Sequence, residues 1–249
     1  MKKFFMFLAV IGFVALAAND AVAQTNDAAA QELLAGAASE APVYQQIKAK
    51  FIDGGVGFMA AILLCLILGL AVAIERIIYL SLSTTNTSKL IAKVEEALAN
   101  GGVEAALEVC RNTRGPVASI FYQGLSRMDQ GLEAVEKSVV SYGGVQAAQL
   151  ETGLTWLSLF IAMAPNLGFL GTVIGMIGAF DAIQAAGDIS PIVVASGIKV
   201  ALITTVAGLI VALILQVFFN YITSKVESLV ITMEDASVSL IDILVKAKK

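Results

Sequence analysis

Three threonines, a glutamine and one lysine are the side chains whose types and positions could do chemistry in this chain. Thr172 lies in the apolar stretch 159–179, and Lys199, Thr204, Thr205 and Gln216 lie in the apolar stretch 191–221. Hydroxyls and amides can solvate a passing proton but do not ionise near neutral pH. No aspartate or glutamate occurs between Thr152 and Phe180, or between Pro191 and Ser224. A proton path through these stretches therefore needs its titrating carboxylate from another polypeptide. The bland alternative is that each threonine hydrogen-bonds its own helix backbone, and the residues alone leave both readings open. Histidine is absent, which removes imidazole metal sites, Ser-His-Asp triads and Cys-His dyads. With no nucleophile–base pair, metal cluster or cofactor motif to assemble, enzyme is the least supported class.

Helical periodicity must position these groups. Gly168, Gly171, Gly175 and Gly178 recur every three or four residues, with Pro165 one turn earlier. The result is a smooth strip on which another helix can approach closely, and Thr172 sits on it. In the later stretch, Thr204 and Thr205 stand near Ala201, Gly208 and Ala212. At about 100° per residue, Ile198, Thr205, Ala212 and Gln216 share a face, with Asn220 nearby. That face reads as a mildly polar stripe along the depth of a membrane. Lys199 stands about 120° from Thr205 and about 12 Å along the helix from Pro191. It therefore snorkels outward or pairs, with Asp181 and Asp188 the nearest candidates. A structural ion pair and a functional gate both remain open.

The chain has 249 residues, 58% hydrophobic and only 14% charged, with a mean hydropathy of +0.84. Soluble domains lie nearer roughly 45–50% apolar and 25% charged, so this is an integral membrane protein. A net charge of −4 gives no basic excess for nucleic acid. Residues 1–23 read as a cleavable secretory signal: Lys2 and Lys3, an apolar run, then Ala21-Val22-Ala23. Residues 24–54 form an extracytoplasmic segment whose Val43, Tyr44, Ile47, Phe51 and Ile52 suit an amphipathic helix. A first transmembrane helix spans 55–76, a cytoplasmic helical region 77–151 and a second span 152–180. A loop follows at 181–190, then a third span at 191–222 and a cytoplasmic C-terminal helix at 223–249. The long polar region carries Lys89, Lys93, Arg111, Arg114, Arg127 and Lys137, whereas the loop carries no lysine or arginine. The positive-inside rule then places the long region and the C-terminus in the cytoplasm and the N-terminus outside. Cys65 and Cys110 read as two buried small hydrophobes rather than a disulfide.

Within the cytoplasmic region, glycines punctuate helical patterns. A helix through Leu90 and Leu98 stops at Asn100-Gly101-Gly102, Val103 to Cys110 makes a second, and Val117 to Met128 a third. From Glu133 a helix is expected to run into the second span, weakened only at Gly143-Gly144. The last span is expected to continue past Tyr221 to the end of the chain. The fold class is thus all-α, three transmembrane helices with long cytoplasmic extensions.

The segment Ala164-Pro165-Asn166-Leu167-Gly168-Phe169-Leu170-Gly171-Thr172-Val173-Ile174-Gly175-Met176 resembles the Ala-Pro-x-x-Gly-x-x-Gly-Thr-Val-x-Gly motif of the MotA/TolQ/ExbB proton-channel family. The segment from Gly197 through Thr204, Thr205 and Gly208 resembles its second motif, and Ile74-Glu75-Arg76 resembles the end of its first span. The resemblance covers roughly residues 55–237. It implies a homo-oligomeric ring, a pentamer, in the bacterial inner membrane, whose second and third spans line a central pore. It also implies an ExbD-like single-span partner supplying a membrane aspartate, and a TonB-like energy transducer. Thr172 and Thr205 match the two pore threonines, with Thr204 and Gln216 beside them. Pro165, Gly168, Gly171, Gly175, Gly178 and Gly208 fall at packing positions. The second motif usually carries a glutamate where this chain has Val200, so that carboxylate is not available here. The implied function is a pore-forming motor subunit of the ExbB kind, energising outer-membrane transport. The alternatives are a TolQ-like or gliding-type stator, or a non-conducting scaffold.

Overall fold

The computed structural model describes residues 43–187 and 191–247. The expected signal sequence at 1–23, residues 24–42 of the expected extracytoplasmic segment and Asp188 lie outside the described residues. The described chain is all-helical, and three of its helices are long and apolar enough to cross a membrane. The chain divides into two units, 1–56 and 57–249. The described part of the first is α1 (Val43–Asp53), which ends where Gly54 N–H bonds Lys50 O at 2.9 Å and Gly55 turns with φ 80°.

α2 (Val56–Ser83) opens the second unit's bundle. Its buried residues Ile62, Cys65, Gly69, Ala73 and Leu80 follow helical spacing along one stripe. Leu63, Leu64, Ile67, Leu68, Ile74 and Ile78 are exposed apolar residues on the rest of the surface. That combination fits a helix with one protein-facing stripe and a lipid-facing remainder.

α3 (Thr87–Asn112) starts on Asn86, whose side chain accepts from Lys89 N–H at 3.2 Å. The expected stop at Asn100-Gly101-Gly102 is a kink: Gly102 alone leaves helical geometry, at φ 68°. α4 (Pro116–Leu125) begins with proline at a position that needs no N–H donor. It ends three residues before the expected Met128, which instead opens a short 3₁₀ turn, Met128–Gln130. Phe121, Ile120 and Leu125 are fully buried, making α4 the centre of the polar region's core. Burial of each such side chain stabilises by about 1.5–3 kcal/mol.

α5 (Leu132–Glu151) passes Gly143-Gly144 without a break. The continuous helix expected from Glu133 into the second span is interrupted instead at Thr152-Gly153. Gly153 takes φ 88°, ψ −18°, and α6 (Leu154–Ala186) starts afresh. The notch accommodates Arg76: a side chain at Gly153 would come within 3.2 Å of Arg76 Nε. Arg76 is held there by Glu75 at 2.6 Å and by the Tyr79 ring at 5.0 Å. The end of the first span thus fixes where the second begins.

α7 (Pro191–Ala247) is a single helix of 57 residues, about 85 Å at 1.5 Å per residue. Leu215, Ile222, Val226, Leu229, Met233, Ala236, Leu240 and Leu244 are buried at three-, four- and seven-residue intervals. One continuous stripe of α7 therefore serves both the membrane bundle and the polar-region core.

Candidate functional site

The site is the seam between α6 and α7, and its first requirement is backbone proximity. A methyl placed on Gly168 would lie 2.9 Å from Thr204 O, and one on Gly175 would lie 3.3 Å from Ala201 N. One on Gly208 would lie 2.5 Å from Ala164 O, and one on Gly197 would collide with Ala179 Cβ. The pairs run in opposite directions along the two helices, so α6 and α7 pack antiparallel. Apolar helices gain little hydrophobic drive for pairing inside lipid, so close van der Waals packing and interhelical hydrogen bonds must hold them.

Thr204 sits inside the seam and is 0% exposed. Its hydroxyl donates to Ala201 O at 2.8 Å and Val200 O at 3.2 Å. A methyl on Gly171 would come within 2.7 Å of that hydroxyl, so Gly171 is the hole that Thr204 fills. Thr205 is half-buried, and its hydroxyl bonds across the seam to Gly168 O at 3.4 Å as well as to Ala201 O at 3.3 Å. Thr172, also half-buried, donates to Phe169 O at 2.6 Å. Gly168 is one turn before Thr172 on α6, so Thr172 lies about one turn farther along α6 than the carbonyl that Thr205 bonds.

Farther along α7, Gln216 donates to Asn220 Oδ1 at 3.1 Å. The same face continues to Thr223, seven residues beyond Gln216. Its hydroxyl is buried without a hydrogen-bond partner among the described residues. Sequence reasoning did not select Thr223, although the periodicity that joined Thr205 to Gln216 reaches it. Thr205, Gln216, Asn220 and Thr223 form a stripe of uncharged polar groups extending toward the polar region.

Other expected residues fall outside this seam. Gly178 faces open space, with nothing within 4 Å of where its side chain would be. It lines a cleft of about 410 Å³ with Ile174, Ser196 and Val200. Pro165 lies within α6, half-buried. Lys199 is exposed on α7 and Asp181 is exposed on α6.

A polytopic helical membrane subunit with a glycine–threonine seam is the class that this geometry defines. The model of the MotA/TolQ/ExbB proton channel family matches residues 112–235. An ExbB homologue of Methanothermobacter thermautotrophicus, described as a biopolymer transport protein, is 36% identical over 162 residues, covering 65% of this chain and 57% of its own length. An ExbB-like biopolymer transport protein of Synechocystis is 31% identical over 179 residues, 70% of each chain. The biopolymer transport protein ExbB of Xanthomonas campestris is 38% identical over 113 residues, covering 45% of this chain and 43% of its own. The chain belongs to the MotA/TolQ/ExbB proton channel family and is a multi-pass membrane protein.

Proposed function

We propose that this chain is the pore-forming subunit of a proton-driven inner-membrane motor of the ExbB kind. In this reading several copies, five by the family resemblance, form a ring around the membrane helices of an ExbD-like partner. The partner's aspartate carries the proton past Thr172 and Thr205, and a TonB-like transducer takes up the work to energise outer-membrane transport. The carrying observation is that Thr205 bonds across the α6–α7 seam to Gly168 O, one turn of α6 before Thr172, in two spans, 152–180 and 191–222, that contain no acidic side chain. Such a wall solvates a foreign carboxylate in either protonation state and holds no fixed charge to trap the proton. Gln216, Asn220 and Thr223 continue the path toward the polar region. Thr204 belongs to the packing of the seam. One proton crossing 100 mV releases about 2.3 kcal/mol, so a few suffice for a mechanical step.

A scaffold reading has its own observation. The hydroxyls of Thr172, Thr204 and Thr205 all donate to backbone carbonyls. Replacing Thr172 and Thr205 by valine separates the two. A hydrogen bond to a charged group contributes about 1.5–3 kcal/mol. Its loss from the transfer barrier slows flux roughly ten- to hundredfold. The complex should still purify with its partner, while uptake driven by the proton-motive force falls by that factor. Full uptake in the double variant sinks the channel reading, and a TolQ-like or gliding-type role is separated by which cellular process fails.

A further inference from the structure

We propose that a pocket at the polar end of α2, where α2, α4 and α5 meet, binds the phosphate headgroup of an anionic phospholipid. The pocket encloses about 260 Å³, and its polar wall consists of Tyr79, Ser83, Arg114, Ser119 and Gln146. Arg114 is the one cation on that wall, and no carboxylate lines it among the described residues. The neighbouring arginines are engaged: Arg76 with Glu75 and the Tyr79 ring, Arg111 with the Tyr122 hydroxyl at 3.1 Å. Among the described residues Arg114 is held at its backbone, where its carbonyl accepts from Thr85 Oγ1 at 2.6 Å. Gly115 beside it adopts φ 121° and packs against Ser83 O and Thr85. The guanidinium therefore hangs from a pinned root, beside hydroxyl and amide donors suited to phosphate oxygens.

Depth along the membrane favours a lipid over a soluble anion. The uncharged run of α2 ends at Ile74, and Tyr79 stands five residues on, about 7.5 Å farther. That is roughly the depth of a headgroup layer. Trp156, 63% exposed in the first turn of α6, and Tyr79 are the aromatic types that settle at this boundary. Leu82 lines the same pocket and is 75% exposed. A cationic wall with an exposed leucine matches a headgroup joined to acyl chains, whereas a free phosphate would leave Leu82 in water. This inference needs only the membrane embedding and is independent of proton conduction.

Native mass spectrometry of the full-length protein in detergent tests it, titrating phosphatidylglycerol, phosphatidylcholine and inorganic phosphate separately. Phosphatidylglycerol should bind preferentially, and Arg114→Gln should weaken it by about fivefold or more. Lys93→Gln, an equal loss of charge away from the pocket on α3, should not. Unchanged phosphatidylglycerol affinity in Arg114→Gln, or equal affinity for phosphatidylcholine, overturns the proposal. Displacement of the lipid by millimolar inorganic phosphate, with the same dependence on Arg114, assigns the site to a soluble anion and overturns the lipid source. Should Arg114→Gln not fold, Gln146→Leu on the facing helix reads the same site, and undiminished lipid binding there counts against it.

Discussion

Adjacent threonines on α7 have different employment because one residue rotates a side chain by about 100°. Thr204 points into the hole left by Gly171, while Thr205 reaches the rim and bonds Gly168 O. Thr223 is a third case, a buried hydroxyl with no hydrogen-bond partner among the described residues. Cys110 is buried in the polar-region core, where desolvation pushes its thiol from 9.0 up to about 11. The unfolded chain then releases this proton before the folded chain does, so the group's contribution is complete below pH 9 and lost as pH rises toward 11. Over that window stability should fall by about 1.4 kcal/mol per pH unit from this group alone. The difference between wild type and Cys110→Ala, followed by melting from pH 8 to 11, isolates it. A pH-independent difference would show that the thiol is not desolvated in the folded protein.

At the scale of elements, α6 and α7 are joined by missing side chains. A leucine at Gly171 must displace Thr204 and then the α7 backbone, and overpacking of even a deformable core costs about 1–3 kcal/mol. Gly171→Leu should therefore loosen the helix pair and lower the melting temperature, whereas Gly178→Leu, facing open space, should melt like the wild type. Melting in detergent distinguishes them, and equal stability of the two variants would contradict the seam. This seam was legible because small residues at three- and four-residue spacing have few other uses in an apolar helix. Its depth was not: Gly168 and Gly178 look alike in sequence, and only the partner's position separates a filled notch from an open one. The breaks were harder to read. Glycine in a helix costs only about 1 kcal/mol against alanine. Gly143-Gly144 therefore stays helical within α5, while Gly153, flanked by equally good helix, turns because Arg76 occupies its notch. That cause lies 77 residues away in the chain, and no local pattern carries it.

On the scale of the molecule, one helix couples two solvents. α7 is buried in the membrane bundle at Leu215 and in the polar-region core at Leu240 and Leu244, without a break between them. α7 thus gives the seam a continuous helical connection to the core formed with α4 and α5, the kind of link that the proposed motor would use. The direction of that coupling depends on which side the polar region occupies. Its arginines and lysines, against a loop carrying none, support a cytoplasmic placement. Cys110 makes a poor reporter of it, being buried and slow to ionise on either side of the membrane. Two exposed positions serve instead: Glu96 on α3 and Gln184 near the end of α6. In a chain with Cys65→Ala and Cys110→Ala, Gln184→Cys should react with a membrane-impermeant maleimide in intact cells. Glu96→Cys should react only after the membrane is opened, because a cytoplasmic polar region then becomes reachable. The reverse pattern would put the polar region outside and detach α7 from any cytoplasmic role, while leaving the seam itself intact.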